Sequence, residues 1–193
     1  MASADPLHLA AAVALAENGG YQDLHIDIED GNFIPNITFG VKTVRALRSI
    51  SRLPFSFHLM TTRPADYLPD IAGMSPSCIF AHIEALDYPA EFLMRVRTIG
   101  CRTGLAINPK TAVDSLTYLL DRCDGIMVMT AEPDGRGQEF LPRMLEKVRF
   151  LRSAHPSLEI WADGGIRREM LPGLEKAGVE VAVMGRAVFG EKR

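Results

Sequence analysis

The sequence predicts an α/β domain built on a parallel sheet. Short runs rich in β-branched and aromatic residues alternate with amphipathic segments along all 193 residues, and the links between them are a few residues long. Strands joined through helices in this way run parallel. Two architectures fit the alternation equally well. A closed (β/α)8 barrel carries its site at the C-terminal ends of the strands, and an open doubly wound sheet carries it where the strand order reverses.

The first helix, 6–17, opens on Asp5-Pro6, an N-cap followed by a proline in the first turn. Strand 23–29, helix 40–50, strand 55–60, helix 64–73, strand 78–84 and helix 88–99 follow, and Gly100 ends the last of these. The second half repeats the pattern with strand 103–108, helix 111–121, strand 124–130, helix 139–154, strand 158–163, helix 167–177 stopped by Gly178, and strand 180–184. A short Arg186–Phe189 turn completes a count of seven strands.

With 47% hydrophobic and 23% charged residues, a chain of this length buries one sizeable core, so residues 1–193 read as a single domain. The formal net charge of −3 supplies no field for nucleic acid or an anionic membrane, which leaves a small molecule as the expected partner. The apolar run from Leu7 to Ala16 lacks the basic flank of a signal peptide and no segment is long enough to span a bilayer, so a cytoplasmic location is expected. Cys78, Cys101 and Cys123 form no close pair and suit reduced, mostly buried thiols.

The chemistry concentrates in Leu24-His25-Ile26-Asp27-Ile28-Glu29-Asp30-Gly31. In an extended chain His25, Asp27 and Glu29 share one face and Leu24, Ile26 and Ile28 the other, with the aliphatic face turned inward. Further polar residues stand toward the C-terminal ends of other strands: His58, His82 with Glu84, and Asp163 ahead of Gly164-Gly165. Singly, each has an ordinary reading, a hydrogen-bonded core histidine or a turn aspartate. His82 and Glu84 read as satisfied strand-end residues.

Together, His25-Ile26-Asp27, Asp30-Gly31, Phe33, Pro35-Asn36, Phe57-His58-Leu59-Met60, Met129-Thr130, Pro133, Gly137-Gln138, Phe140 and Asp163-Gly164-Gly165 resemble the markers of the ribulose-phosphate 3-epimerase family, in family order over nearly the whole chain. The resemblance implies a phosphate-binding (β/α)8 TIM barrel. It implies one divalent metal ion, zinc, iron or manganese, held by His25, Asp27, His58 and Asp163. It also implies that Asp27 and Asp163 exchange a proton at C3 of a ketose phosphate, a pentulose or hexulose phosphate, through an enediolate. Glu29, Met60, Met129, Gly137, Gly164, Gly165, Gly185 and Arg186 are the implied substrate contacts, with backbone N–H groups at Gly137, Gly165 and Gly185 receiving the phosphate. Family members self-associate, so a homo-oligomer is expected.

The sequence departs from the family pattern in three places. Glu29 stands where a pocket methionine is usual, and Glu132-Pro133-Asp134-Gly135-Arg136-Gly137-Gln138 replaces a loop that usually reads Pro-Gly-Phe-Gly-Gly-Gln. By the family pattern, a barrel without the first strand ahead of Ser3-Ala4-Asp5 and with its last helix shortened after Phe189 is expected. The alternative to an epimerase is a sugar-phosphate-binding barrel with little or no turnover. The related decarboxylases and aldolases pair Asp with Lys in an Asp-x-Lys-x-x-Asp strand, and Glu29 at the lysine position disfavours that branch.

Overall fold

A computed structural model of the chain describes residues 1–134 and 139–190. Seven parallel strands form one sheet: β1 (Leu24–Glu29), β2 (Phe55–Met60), β3 (Cys78–His82), β4 (Arg102–Ile107), β5 (Gly125–Met129), β6 (Glu159–Asp163) and β7 (Val181–Val183). Every pairing joins strands consecutive in the chain, in the order β1 to β7. Without a reversal of strand order there is no switch point, so the doubly wound alternative falls and a barrel-like winding stands. The edges of the sheet are β1 and β7.

Helices cover the outer face: α1 (Leu9–Asn18), α2 (Val41–Ile50), α3 (Leu68–Ala72), α4 (Pro89–Ile99), α5 (Thr117–Leu120), α6 (Met144–Ala154), α7 (Leu171–Ala177) and the single turn α8 (Arg186–Phe189). Two boundaries differ from the sequence reading in ways that matter for the site. The third strand stops at His82, and Glu84 lies on a 3₁₀ turn, Ile83–Ala85. The helix expected from residue 139 starts at Met144, because Leu141 N–H is bonded at 2.6 Å to Thr130 C=O, which holds the preceding segment against the end of β5.

Alternation along the strands sorts the core into layers. Ile26, Ile28, Phe57 and Leu59 pack with Val13, Val44 and Leu47, and Ile126, Val128 and Ile160 pack with Val148, Leu151 and Leu174. The intervening positions, among them Phe80, Ala106, Met127, Met129 and Trp161, form a separate cluster on the enclosed face. All six residues of β1 are buried, as expected for a parallel strand covered on both sides. Its aliphatic face meets the helices, and His25, Asp27 and Glu29 belong to the enclosed face.

The N-terminal residues lie along the β1 edge. The Met1 amine donates to His25 C=O at 2.6 Å, Ala2 N–H donates to Asp27 Oδ2 at 3.4 Å, and Ser3 packs against Gly185.

Asp30 ties the loop after β1 to the loop after β2. Its Oδ1 accepts the N–H groups of Asn32 and Phe33, each at 2.8 Å, and its Oδ2 accepts the N–H of Thr62 at 2.8 Å and the Thr62 hydroxyl at 2.9 Å. Partial burial raises the Asp30 pKa, but these donors outweigh it and bring it down to about 2. A carboxylate with a depressed folded-state pKa contributes stability above its unfolded value and loses it as pH falls toward the folded one. Asp30→Asn is therefore expected to flatten the loss of stability between about pH 4 and pH 2. Thermal unfolding of both proteins across that range checks it, and parallel curves would contradict it.

Candidate metal centre and active site

Four side chains from three strands meet at the C-terminal end of the sheet. One ligand atom from each of His25, Asp27, His58 and Asp163 lies within 4.8 Å of every other. Period-2 alternation places His25 and Asp27 on one face of β1, and the β1–β2 register sets Asp27 beside His58. Asp163 arrives as the last residue of β6, paired with Met129.

The hydrogen bonds fix which imidazole nitrogens face the cluster. Ser56 gives its hydroxyl proton to Asp23, so its oxygen accepts from His25 Nδ1–H at 2.8 Å, and His25 Nε2 is left bare, 3.6 Å from Asp27 Oδ1. Asp23 also accepts the Ser56 N–H at 3.1 Å and the Ser77 hydroxyl at 2.8 Å, which holds the anchor in place. His58 turns Nδ1 toward the carboxylates, 3.5 Å from both Asp27 Oδ1 and Asp163 Oδ2, while its Nε2 lies 2.9 Å from His82 Nε2.

Both nitrogens that face the cluster, His25 Nε2 and His58 Nδ1, are buried and lack a hydrogen-bond partner. Two orphaned imidazole nitrogens beside two carboxylates make a donor set that fits a borderline divalent cation.

Burial holds His25 below the ordinary histidine range, against the pull of Asp27 and Asp163. Burial also pushes His58 down, but the adjacent Asp163 and Asp27 carboxylates outweigh it and raise His58 to about 9. Burial lowers His82 to about 4, with only partial compensation from Glu84. For Asp27 the effect of burial is reversed by the Met1 amine, 3.6 Å away, and by the two imidazoles, and the carboxyl lies well below the usual range.

A cavity of about 1130 Å³ opens over this cluster. Its lining includes Glu29, Met60, Met129, Gly165, Gly185 and Arg186, and Gly164 lines it as well. Glu29 and Met60 are register partners, and the Glu29 carboxylate accepts the Asn36 side-chain amide. Of the sequence-predicted site, Gly137 lies outside the described residues, as does Arg136.

The Gly164-Gly165 turn is pressed onto backbone. Both residues have positive φ, +116° and +68°; a Cβ would lie 2.7 Å from Ala131 N at the first and 2.5 Å from Phe140 N at the second. Thr130 completes the junction, its hydroxyl donating to Gly164 C=O at 2.7 Å. Gly165→Ala is expected to cost on the order of 1–3 kcal/mol, from conformational strain and the clash together. Chemical denaturation measures it, and a loss under about 0.5 kcal/mol, the level of a neutral surface change, would contradict it.

Comparison with known proteins gives the family and the fold. The sequence model of the Ribulose-phosphate 3 epimerase family matches residues 1–189. The chain belongs to the ribulose-phosphate 3-epimerase family. Among its relatives in that family, the ribulose-phosphate 3-epimerase of Methanocaldococcus jannaschii is 35% identical over 98% of this chain and 82% of that protein. The cytoplasmic isoform of Oryza sativa is 36% identical over 98% and 85%, and the enzyme of Bacillus subtilis is 32% identical over 98% and 89%.

Among solved structures, a Pyrococcus furiosus tryptophan synthase α-subunit aligns with a TM-score of 0.71 at 14% identity, covering 97% of this chain and 85% of that one. A thiamine phosphate pyrophosphorylase from Pyrococcus furiosus aligns at 0.65 and 15%, covering 95% and 82%. At such identities the likeness is one of fold, and it agrees with the barrel-like winding.

Beyond the expected residues, the site of this epimerase-family chain includes four that the sequence reading did not assign to it. His82 and Glu84 back His58, and Ser56 and Asp23 back His25. Ser56 shares the face of His58 two residues on, which is the one signal in the sequence that points to it.

Proposed function

We propose that this chain is a metal-dependent epimerase that inverts C3 of a ketose phosphate, a pentulose or hexulose phosphate, with residues 1–193 acting as one domain. The observation that carries the reading is the convergence of Asp27 and Asp163 on a single nitrogen, His58 Nδ1, at 3.5 Å each. Inversion requires a proton to leave one face of a planar intermediate and return to the other, so it needs two carriers, and two carboxylates at one centre supply them.

His25, Asp27, His58 and Asp163 would hold one divalent ion, zinc, iron or manganese. Such an ion supplies positive charge where the C2 oxygen becomes negative. Asp27 and Asp163 take and return the C3 proton, and the direction of epimerisation decides which acts as base.

Met60 and Met129 give the reacting carbons an apolar wall that excludes water. Glu29, set by Asn36, accepts a substrate hydroxyl. Backbone N–H groups at Gly137, Gly165 and Gly185, together with Gly164 and Arg186, receive the phosphate. A cytoplasmic location and self-association complete the reading.

Proton NMR in D₂O of the metal-loaded protein with a panel of ketose phosphates tests it. Exchange and inversion at C3 are expected with at least one sugar. No exchange with any of them leaves the alternative, a barrel that binds sugar phosphates without turnover.

A further inference from the structure

The contact between two imidazoles behind the cluster is unusual, because each can serve the other only if their protons are arranged in one order. His58 Nε2 and His82 Nε2 are 2.9 Å apart, both rings are fully buried, and their planes, with centroids 4.9 Å apart, are inclined by only 24°. One nitrogen must donate and the other accept. On its far side His82 Nδ1 faces Glu84 Oε2 at 3.2 Å, and an ionised carboxylate only accepts. A neutral His82 thus carries its proton on Nδ1 and offers a bare Nε2, so His58 must donate its Nε2–H. The remaining nitrogen of His58, Nδ1, is the one aimed at Asp27 and Asp163.

We propose that His82 is a positioning residue, which Glu84 holds in its Nδ1–H form, and that it dictates the tautomer and orientation in which His58 presents Nδ1 to a divalent cation. The inference rests on the metal reading of the site above.

The relay is built on fixed parts. Glu84 Oε1 accepts the Asn108 N–H at 2.9 Å and also the Thr111 hydroxyl. That 108–111 segment is in turn pinned by Lys147, whose ammonium donates to the carbonyls of Asn108 at 3.2 Å, Pro109 at 2.7 Å and Thr111 at 2.6 Å. Phe33 packs against His82, the two rings 4.8 Å apart. Every hydrogen-bonding position on Glu84 that the relay uses is committed before a metal arrives, which is the condition for an outer partner to orient a ligand.

Two variants and one spectrum test the proposal. His82→Leu removes the acceptor behind His58. His82→Gln keeps an acceptor oxygen at a similar reach. Zinc affinity, measured by competition with a chromogenic chelator, is expected to fall by roughly 10–100-fold in His82→Leu and to be largely restored in His82→Gln. In the metal-free wild type, ¹⁵N NMR is expected to show His82 protonated at Nδ1 and bare at Nε2.

Equal zinc affinity in all three proteins, or equal losses in both variants that track their loss of thermal stability, would overturn the positioning role. A His82 protonated at Nε2 would overturn it as well. Should His82→Leu not fold, the glutamine variant and the spectrum decide. If wild-type protein takes up no zinc, the metal reading itself fails, and the spectrum tells that failure apart from a wrong proton order in the relay.

Discussion

The Asp163→Asn variant is expected to slow inversion at C3 by about 10²–10⁴-fold, the range a positioned proton carrier contributes. The loss should be uneven, and that unevenness is the sharper result. With one carboxylate left, the epimer whose C3–H faces Asp27 can still lose its proton and regain a deuteron on the same side. The other epimer has no base within reach. In D₂O the variant should therefore wash deuterium into one epimer faster than it inverts it, and leave the other almost unlabelled. Asp27→Asn should reverse the preference. Inversion at the wild-type rate in either variant would remove the two-carboxylate mechanism, and equal exchange of both epimers would point to a single carrier. Glu29 is the residue to watch in such an experiment, since it is a third carboxylate in the same cavity, itself buried, and stands at the end of the strand that carries Asp27.

Much of this arrangement is legible in the sequence, for physical reasons that can be named. The strands around Ile26, Phe57 and Ile126 are buried on both faces; the last reads as a short apolar run, and the first two read as strands by their alternation of apolar and polar residues. The His25, Asp27, His58 and Asp163 set is named by the family resemblance; period-2 alternation explains how His25 and Asp27 come to share a face, and the ends of two further strands supply His58 and Asp163. What was hidden depends on register. The β2–β3 pairing sets His58 against Phe80, so His82 lies two residues further on, and only the three-dimensional course of the sheet brings the two Nε2 atoms together. Glu84 was hidden for a related reason: a 3₁₀ turn after His82 replaces the last strand positions and swings the carboxylate back to Nδ1. The late start of α6 has the same character, since the Leu141 to Thr130 hydrogen bond ties the segment ahead of the helix back to the end of β5 and leaves no trace in local periodicity.

Removing the divalent ion is expected to have the largest effect on stability as well as on turnover. A ligand that binds only the folded chain, present at about a thousandfold over its dissociation constant, adds about 4 kcal/mol to the unfolding free energy. Chelation should remove that contribution along with C3 exchange, and restoring zinc, manganese or iron should return both. The cluster explains the sign. Without a cation, Asp27 and Asp163 are balanced by His58, raised to about 9 by their proximity, so the folded site already holds one proton where the ion would sit. The ion must displace that proton from Nδ1. Its affinity should consequently fall as pH drops below about 9, by about tenfold per unit for one displaced proton. Thermal unfolding with and without metal, repeated at several pH values, measures both effects. A transition midpoint that ignores the ion at every pH would show that the four residues form a structural ion-pair network, with His58 as its fixed cation, in place of a metal centre.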